Sequence, residues 1–129
     1  MATTPAVSYA IGGHPTTPIE ATGDSFAVRE WTGSGPRELH VHLADDEAWH
    51  VLAGALRFRL ADRELEAPAG STVFVPAGVA HTFVALTPDT RYLIILTKRL
   101  LSLIETLDSG QRREAKSEVY RAHASRLVE

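Results

Sequence analysis

The chain of 129 residues contains no cysteine. Disulfide bonds and thiolate metal sites are therefore excluded, and any bound metal must be held by histidine and carboxylate side chains. The absence of disulfides is compatible with a reducing compartment. A chain of this length forms one ordinary domain and buries about two-thirds of its unfolded surface, so it can build a core without covalent cross-links.

The chain also lacks long apolar runs and a large excess of charge of either sign. Its longest apolar run, near 93–96, is far shorter than the roughly 20 residues that a membrane helix needs. The start of the chain lacks the basic and apolar regions of a signal peptide. The formal net charge of −3 gives no electrostatic reason to bind nucleic acid or an anionic membrane. We therefore expect a soluble, cytoplasmic protein without nucleic-acid or membrane partners.

Short segments with strand-like patterns follow one another between residues 26 and 97. In the clearest of them, Leu56, Phe58 and Leu60 alternate with two arginines, as in a half-buried strand. Glycine, proline and aspartate separate these segments at intervals of about eight to twelve residues. This spacing predicts an all-β sandwich or barrel.

The end of the chain has a helical pattern instead. Leu100, Leu101, Ile104 and Leu107 recur at helical spacing before Gly110. A second, weaker amphipathic helix is predicted over 115–127, and we expect both helices to cover the barrel. The predicted organisation is an irregular arm rich in Thr, Pro and Gly at 1–24, a β-barrel at 25–97 and C-terminal helices packed on the barrel at 98–129.

The candidate functional residues lie in the strand region. His40 and His42 are two residues apart in a predicted strand, so both side chains point to the same face. If the acidic turn that follows folds the next strand back, Glu47 can meet both imidazoles, and His81 opens a further strand. Imidazole and carboxylate suit one divalent transition metal, namely Fe, Mn, Co, Ni, Cu or Zn. Alternation places His50 on the opposite face of its strand, away from this cluster.

Two motifs in this region resemble those of the cupin family. The family's first motif is Gly, five residues, His-x-His, three or four residues, Glu, six residues, Gly. The chain has His40-Val-His42, four residues, Glu47, six residues, Gly54. The family's second motif is Gly, five residues, Pro-x-Gly, two residues, His, three residues, Asn. The chain has Gly70, five residues, Pro76-Ala77-Gly78, two residues, His81, three residues, Ala85.

The chain departs from the family pattern at two positions. Ser34 occupies the position of the opening Gly, with glycines on either side, and Ala85 occupies that of the closing Asn, which is not a ligand in the family. The resemblance implies a cupin double-stranded β-helix, also called a jelly-roll barrel, that forms a homodimer. It also implies that a metal ion is held by the four intact ligand positions, which are His40, His42, Glu47 and His81.

Similarity to small quercetin-dioxygenase-like cupins favours a metal-dependent dioxygenase, with Glu47 as a ligand that can also act as a base. Trp49 and Val51 share a face with Glu47, and Phe83 shares one with His81. These three side chains are candidate walls of a pocket for a small apolar or aromatic substrate. Two other functions remain open, a metal-dependent isomerase, cyclase or lyase, and a non-enzymatic small-molecule-binding protein.

Overall fold

The computed structural model describes residues 7–9, 18–107 and 110–128. Within these ranges the chain forms ten β-strands and two α-helices. Their bounds, in chain order, are β1 (Glu20–Thr22), β2 (Ala27–Thr32), β3 (His40–His42), β4 (Glu47–Ala53), β5 (Ala55–Leu60), β6 (Glu64–Pro68), β7 (Thr72–Val75), β8 (His81–Ala85), β9 (Arg91–Leu96), α1 (Lys98–Thr106), α2 (Arg113–Ala122) and β10 (Ser125–Leu127).

The strands form two antiparallel five-stranded sheets. The first sheet has the order β1-β2-β9-β4-β7, and the second has the order β10-β3-β8-β5-β6. The chain changes sheet between β3 and β4 and again between β4 and β5, so β4 lies on the wall opposite both of its neighbours in sequence. The predicted all-β double-stranded β-helix with a C-terminal helical cap is therefore confirmed.

The core lies between the two sheets and follows the alternation of the strands. In β4, Trp49 and Val51 are fully buried, whereas His50 between them is partly exposed on the outer face. The ring centroids of Trp49 and Phe58 are 5.0 Å apart in an edge-on contact, which joins the two sheets. Because the side-chain period of a strand is two, the pattern in the sequence determines which face is buried.

Gly54 allows the chain to pass from β4 to β5. Its φ is +69°, a conformation that residues with a side chain rarely adopt. A Cβ atom at this position would lie 2.5 Å from Thr90 Oγ1 and 2.7 Å from Thr90 Cα. The Thr90 hydroxyl in turn donates to the Ala55 carbonyl at 3.2 Å. Glycine is thus required both for the backbone conformation and for this close approach.

The helices cover the barrel as expected. The Thr97 side chain caps α1 by accepting from the Leu100 amide at 3.2 Å. Leu100 and Leu103 are buried on α1, and Tyr120 is buried on α2. No helix in the described ranges is long and apolar enough to cross a membrane.

The prediction of helix over 125–127 is wrong. The helix ends at Ala122, Ala124 adopts a positive φ of 54°, and β10 then pairs with β3. The edge of β3 offers the chain backbone hydrogen-bonding groups, and the pairing outweighs a weak helical pattern. In the same way, β1 lies inside the segment 1–24 that we expected to be irregular, because it pairs with β2. Residues 1–6 and 10–17 of that segment lie outside the described residues.

Candidate metal centre

Three histidines and one glutamate from three strands meet between the sheets. His40 and His42 come from β3, Glu47 begins β4 and His81 begins β8. All four are buried, with exposed fractions between 1% and 5%. One ring nitrogen of each histidine lies within 4.8 Å of those of the other two. Glu47 Oε1 lies 3.2 Å from His42 Nε2 and 3.5 Å from His81 Nε2.

The Nδ1 atom of each of these histidines already has a partner outside the cluster. His40 Nδ1 donates to the Glu38 carbonyl and His81 Nδ1 donates to the Val79 carbonyl, each at 2.9 Å. His42 Nδ1 lies 2.8 Å from Ser125 Oγ. A carbonyl oxygen can only accept, so Nδ1 of His40 and of His81 carries the proton. In each neutral ring, Nε2 then presents a lone pair to the cluster.

The cluster therefore gathers electron-pair donors that face one another. The buried His81 Nε2 forms no hydrogen bond within the described part of the chain. The lone pair of His81 Nε2 and the Glu47 carboxylate oxygen 3.5 Å away repel each other unless a proton or a metal ion lies between them. Three imidazoles and a carboxylate form a ligand set suited to a divalent transition metal. The residues present thus fit a metal ion, and the buried histidine cluster is a possible metal site.

Burial and mutual proximity also shift the pKa values of the cluster. Burial lowers the pKa of His40 to about 3, with the charges that His81 and His42 can carry acting in the same direction. Burial raises the pKa of Glu47, but the nearby rings of His42 and His81, which can carry positive charge, lower it by more, to about 2. At neutral pH His40 is therefore a neutral ligand and Glu47 is a carboxylate, the forms that bind metals.

A cavity of about 180 Å³ lies beside the cluster. His40, His42 and Glu47 form its polar side. Most of the other lining side chains are apolar or aromatic, and they come from the barrel and from the helices: Trp31, Trp49, Phe83, Tyr92, Ile94, Leu100, Leu103, Ile104, Leu107 and Tyr120. An apolar enclosure with a few convergent polar groups is typical of a small-molecule site.

The structure separates the three candidate pocket residues. Trp49 and Phe83 line the cavity, with ring centroids 5.4 Å apart. Val51 is fully buried but belongs to the core rather than to the cavity lining. Alternation identified the inward face of β4 correctly, but successive inward residues lie at different depths along the barrel, so Trp49 reaches the cavity and Val51 does not.

Three further aromatic residues of the cavity were not predicted from the sequence, namely Trp31, Tyr92 and Tyr120. The Tyr92 hydroxyl donates to the Gly33 carbonyl at 2.7 Å, whereas the buried Tyr120 hydroxyl has no partner among the described residues. The ring centroid of Tyr120 is 5.3 Å from that of His40. Burial raises the pKa of both tyrosines, so both hydroxyls keep their protons. The apolar face of α1 was a signal that the helices close the barrel, but no local pattern pointed to Tyr120.

The chain resembles known proteins over the barrel. The profile of the cupin domain matches residues 30–96. An uncharacterised protein of Streptomyces coelicolor is 35% identical over 54 residues, which are 42% of this chain and 51% of that protein. The chain thus matches about half the length of this curated relative.

Solved structures show the same fold at low sequence identity. A cupin-2 domain containing protein of Shewanella frigidimarina is 22% identical, with a TM-score of 0.54 over 67% of this chain and 84% of the other. The structure of Streptomyces PAC13 with uridine is 14% identical, with a TM-score of 0.54 over 83% of this chain and 70% of the other. KdgF of a Halomonas species is 21% identical, with a TM-score of 0.50 over 63% and 76% of the two chains.

Proposed function

Because the chain belongs to the cupin family, we propose that it binds one divalent transition-metal ion through His40, His42, Glu47 and His81 and oxygenates a small apolar or aromatic molecule. The observation that carries this proposal is the convergence of four buried donor groups, three of which line an apolar cavity. When bound, such an ion supplies Lewis-acid polarisation of a substrate oxygen and a template for the reaction.

The volume of the cavity limits the size of the substrate. A cavity of about 150 Å³ is enough to hold benzene, so the 180 Å³ here fits a single ring or a short diketone. A three-ring flavonol would require the cavity wall to open. The proposed substrate is therefore a molecule of one-ring size with an oxygen atom at one end. The apolar remainder would contact Trp49, Phe83 and Leu103.

Glu47 has two proposed roles. Its carboxylate completes the ligand set beside His42 and His81. It is also ionised at neutral pH and is proposed as the base, although its lowered pKa restricts it to taking a proton from a strongly acidified substrate hydroxyl or enol. The hydroxyls of Tyr92 and Tyr120 are held protonated by burial, so neither can serve as the base.

The metal site is tested by elemental analysis and native mass spectrometry of the purified protein after metal supplementation. We expect one divalent ion per chain. The His81→Ala variant should lose affinity by more than the roughly 10–100-fold that follows loss of a supporting partner. The His50→Ala variant is the matched control, because His50 lies on the outer face and bonds Thr72. Metal-free protein after careful supplementation would contradict the proposal.

The reaction is tested with an oxygen electrode on Fe(II)-, Mn- and Ni-loaded protein. The panel contains a catechol, a short β-diketone and a flavonol, of which we expect the first two to be oxygenated and the flavonol to be excluded by size. Full turnover of a substrate by the Zn-loaded protein without oxygen consumption would instead identify an isomerase, cyclase or lyase. Tight ligand binding without turnover by any metal form would indicate a binding protein.

The homodimer implied by the family resemblance is part of the proposal. Val28, Ile95, Ala48 and Phe74 are consecutive register partners across the outer face of the first sheet. Phe74 is 61% exposed, so this apolar row is open to a second copy. In sedimentation, Phe74→Glu should shift the protein towards monomer, whereas Val84→Glu on the second sheet should not. A monomeric wild-type protein would contradict the proposal.

A further inference from the structure

We propose that Ser125 is a positioning residue of the metal centre, which holds His42 in its metal-binding tautomer. This inference rests on the proposed metal site. Ser125 lies in β10, outside the part of the chain that matches the cupin profile. The strand predicted to be helical would then be a functional part of this protein, not only a cover for the barrel.

The direction of the hydrogen bonds determines the tautomer. The Ser125 hydroxyl donates to the His123 carbonyl at 3.1 Å. Since its one proton is used there, the oxygen can only accept from the His42 ring, 2.8 Å away. His42 Nδ1 therefore carries the proton, and Nε2 keeps its lone pair for the cluster. A side chain oriented in this way is a better metal ligand than a freely rotating imidazole.

His42 differs from the other two histidines in the source of its partner. His40 and His81 each bond a backbone carbonyl two residues earlier, so their orientation is set within their own loops. The partner of His42 is a side chain 83 residues away. The geometry of one ligand therefore depends on whether the C-terminal segment is docked.

Several contacts hold Ser125 in place. Ser125 is 1% exposed and is the register partner of His42 in the β3–β10 pair. On one side of it the Leu43 amide donates to the Ala124 carbonyl at 2.8 Å, and on the other the Val128 amide donates to the Leu39 carbonyl at 2.9 Å. The positive φ of Ala124 turns the chain from α2 into this pairing. The hydroxyl is thus presented to the ring from a backbone fixed on both sides.

Loss of the hydroxyl has a defined consequence. In Ser125→Ala, the buried Nδ1–H of His42 loses its acceptor, and the ring can rotate or adopt the other tautomer. Loss of such a supporting partner lowers metal affinity by about 10–100-fold. The linkage is reciprocal, because a metal that selects this tautomer also favours the docked state of β10.

The test compares the affinity of the full chain for Co²⁺ and Zn²⁺, by competition with a chelating dye, in wild type and three variants. We expect Ser125→Ala to weaken binding by about 10–100-fold and Ser125→Thr, which keeps the hydroxyl, to restore most of it. The matched control is Thr72→Val. It removes a hydroxyl that bonds His50 Nδ1 at 2.9 Å on the outer face, and it should leave affinity unchanged.

A spectroscopic measurement separates positioning from a general effect on folding. In the Zn²⁺-loaded protein, the His42 Hδ1 proton should be visible by NMR and protected from solvent exchange. It should be lost or shifted in Ser125→Ala, while the corresponding protons of His40 and His81 stay in place. Equal affinity of wild type and Ser125→Ala, or a His42 Hδ1 signal that is unaffected, would overturn this inference alone. Failure of the wild type to bind either metal would overturn the proposed function as well.

Discussion

Tyr92 and Tyr120 offer a matched pair for testing the hydrogen bonding of the cavity. Each is 1% exposed, and each lines the cavity beside the metal centre. The Tyr92 hydroxyl donates to the Gly33 carbonyl at 2.7 Å, whereas the Tyr120 hydroxyl is buried without a partner in the described part of the chain. Replacing each with phenylalanine removes one buried oxygen atom beside the cavity. The two hydroxyls differ in that only that of Tyr92 has a hydrogen-bond partner in the described part of the chain. The two substitutions should therefore change stability in opposite directions.

The expected magnitudes follow from these two environments. A buried hydroxyl without a partner costs about 1–3 kcal/mol of folding free energy, so Tyr120→Phe should raise the free energy of unfolding by about that amount. Tyr92→Phe removes a formed hydrogen bond and should lower it by about 0.5–1.5 kcal/mol. Gly33 is exposed, so water can compensate its carbonyl and the loss should stay in that range. The difference between the variants should be at least about 1.5 kcal/mol.

Urea unfolding of the metal-free protein, followed by circular dichroism, measures this difference. Metal must be removed first, because a ligand that binds only the folded state adds to stability by mass action. Equal slopes of unfolding free energy against urea for the two variants would show that only stability has changed. If Tyr120→Phe proves as destabilising as Tyr92→Phe, the Tyr120 hydroxyl has a partner, such as a cavity water, and the reasoning is refuted.

Two further predictions concern the turn after β4 and the contact of α2 with the barrel. Gly54→Ala should destabilise by at least about 1 kcal/mol more than Gly70→Ala in thermal melts. Both glycines have positive φ, but only a Cβ at Gly54 would clash with Thr90, and equal losses would contradict this reading. The second prediction concerns the contact between Lys116 on α2 and Glu38. Burial raises the pKa of Glu38, but the hydrogen bond and charge of Lys116 lower it by more. A carboxyl group whose pKa is lower in the folded state contributes stability at pH values above its unfolded pKa. This contribution is lost as the pH falls through the folded pKa. Lys116→Met should therefore cost under about 1 kcal/mol at pH 7 and nothing measurable near pH 2, and a loss that does not change with pH would argue against the ion pair.

The sequence alone was sufficient for the features that depend on local periodicity. The two-residue spacing of His40 and His42 places them on one face of any strand, and the same alternation sends His50 to the other. The glycine, proline and aspartate residues between the strand-like segments predicted where strands end. These inferences hold because the geometry of a strand or a tight turn is set by neighbouring residues, whatever the rest of the chain does. The convergence of His40, His42, Glu47 and His81 came from the motif spacing combined with the family resemblance.

Only the tertiary structure determined which parts of the chain complete the site. Ser125 reaches His42 through a strand pairing between segments 83 residues apart, which local propensity described as weak helix. Tyr120 and Leu103 enter the cavity because two helices fold back over the barrel. Val51 and Trp49 have the same alternation phase, yet only Trp49 lines the cavity. Such outcomes depend on the energy of long-range packing and on depth along the barrel, and neither quantity is encoded in the spacing of neighbouring residues.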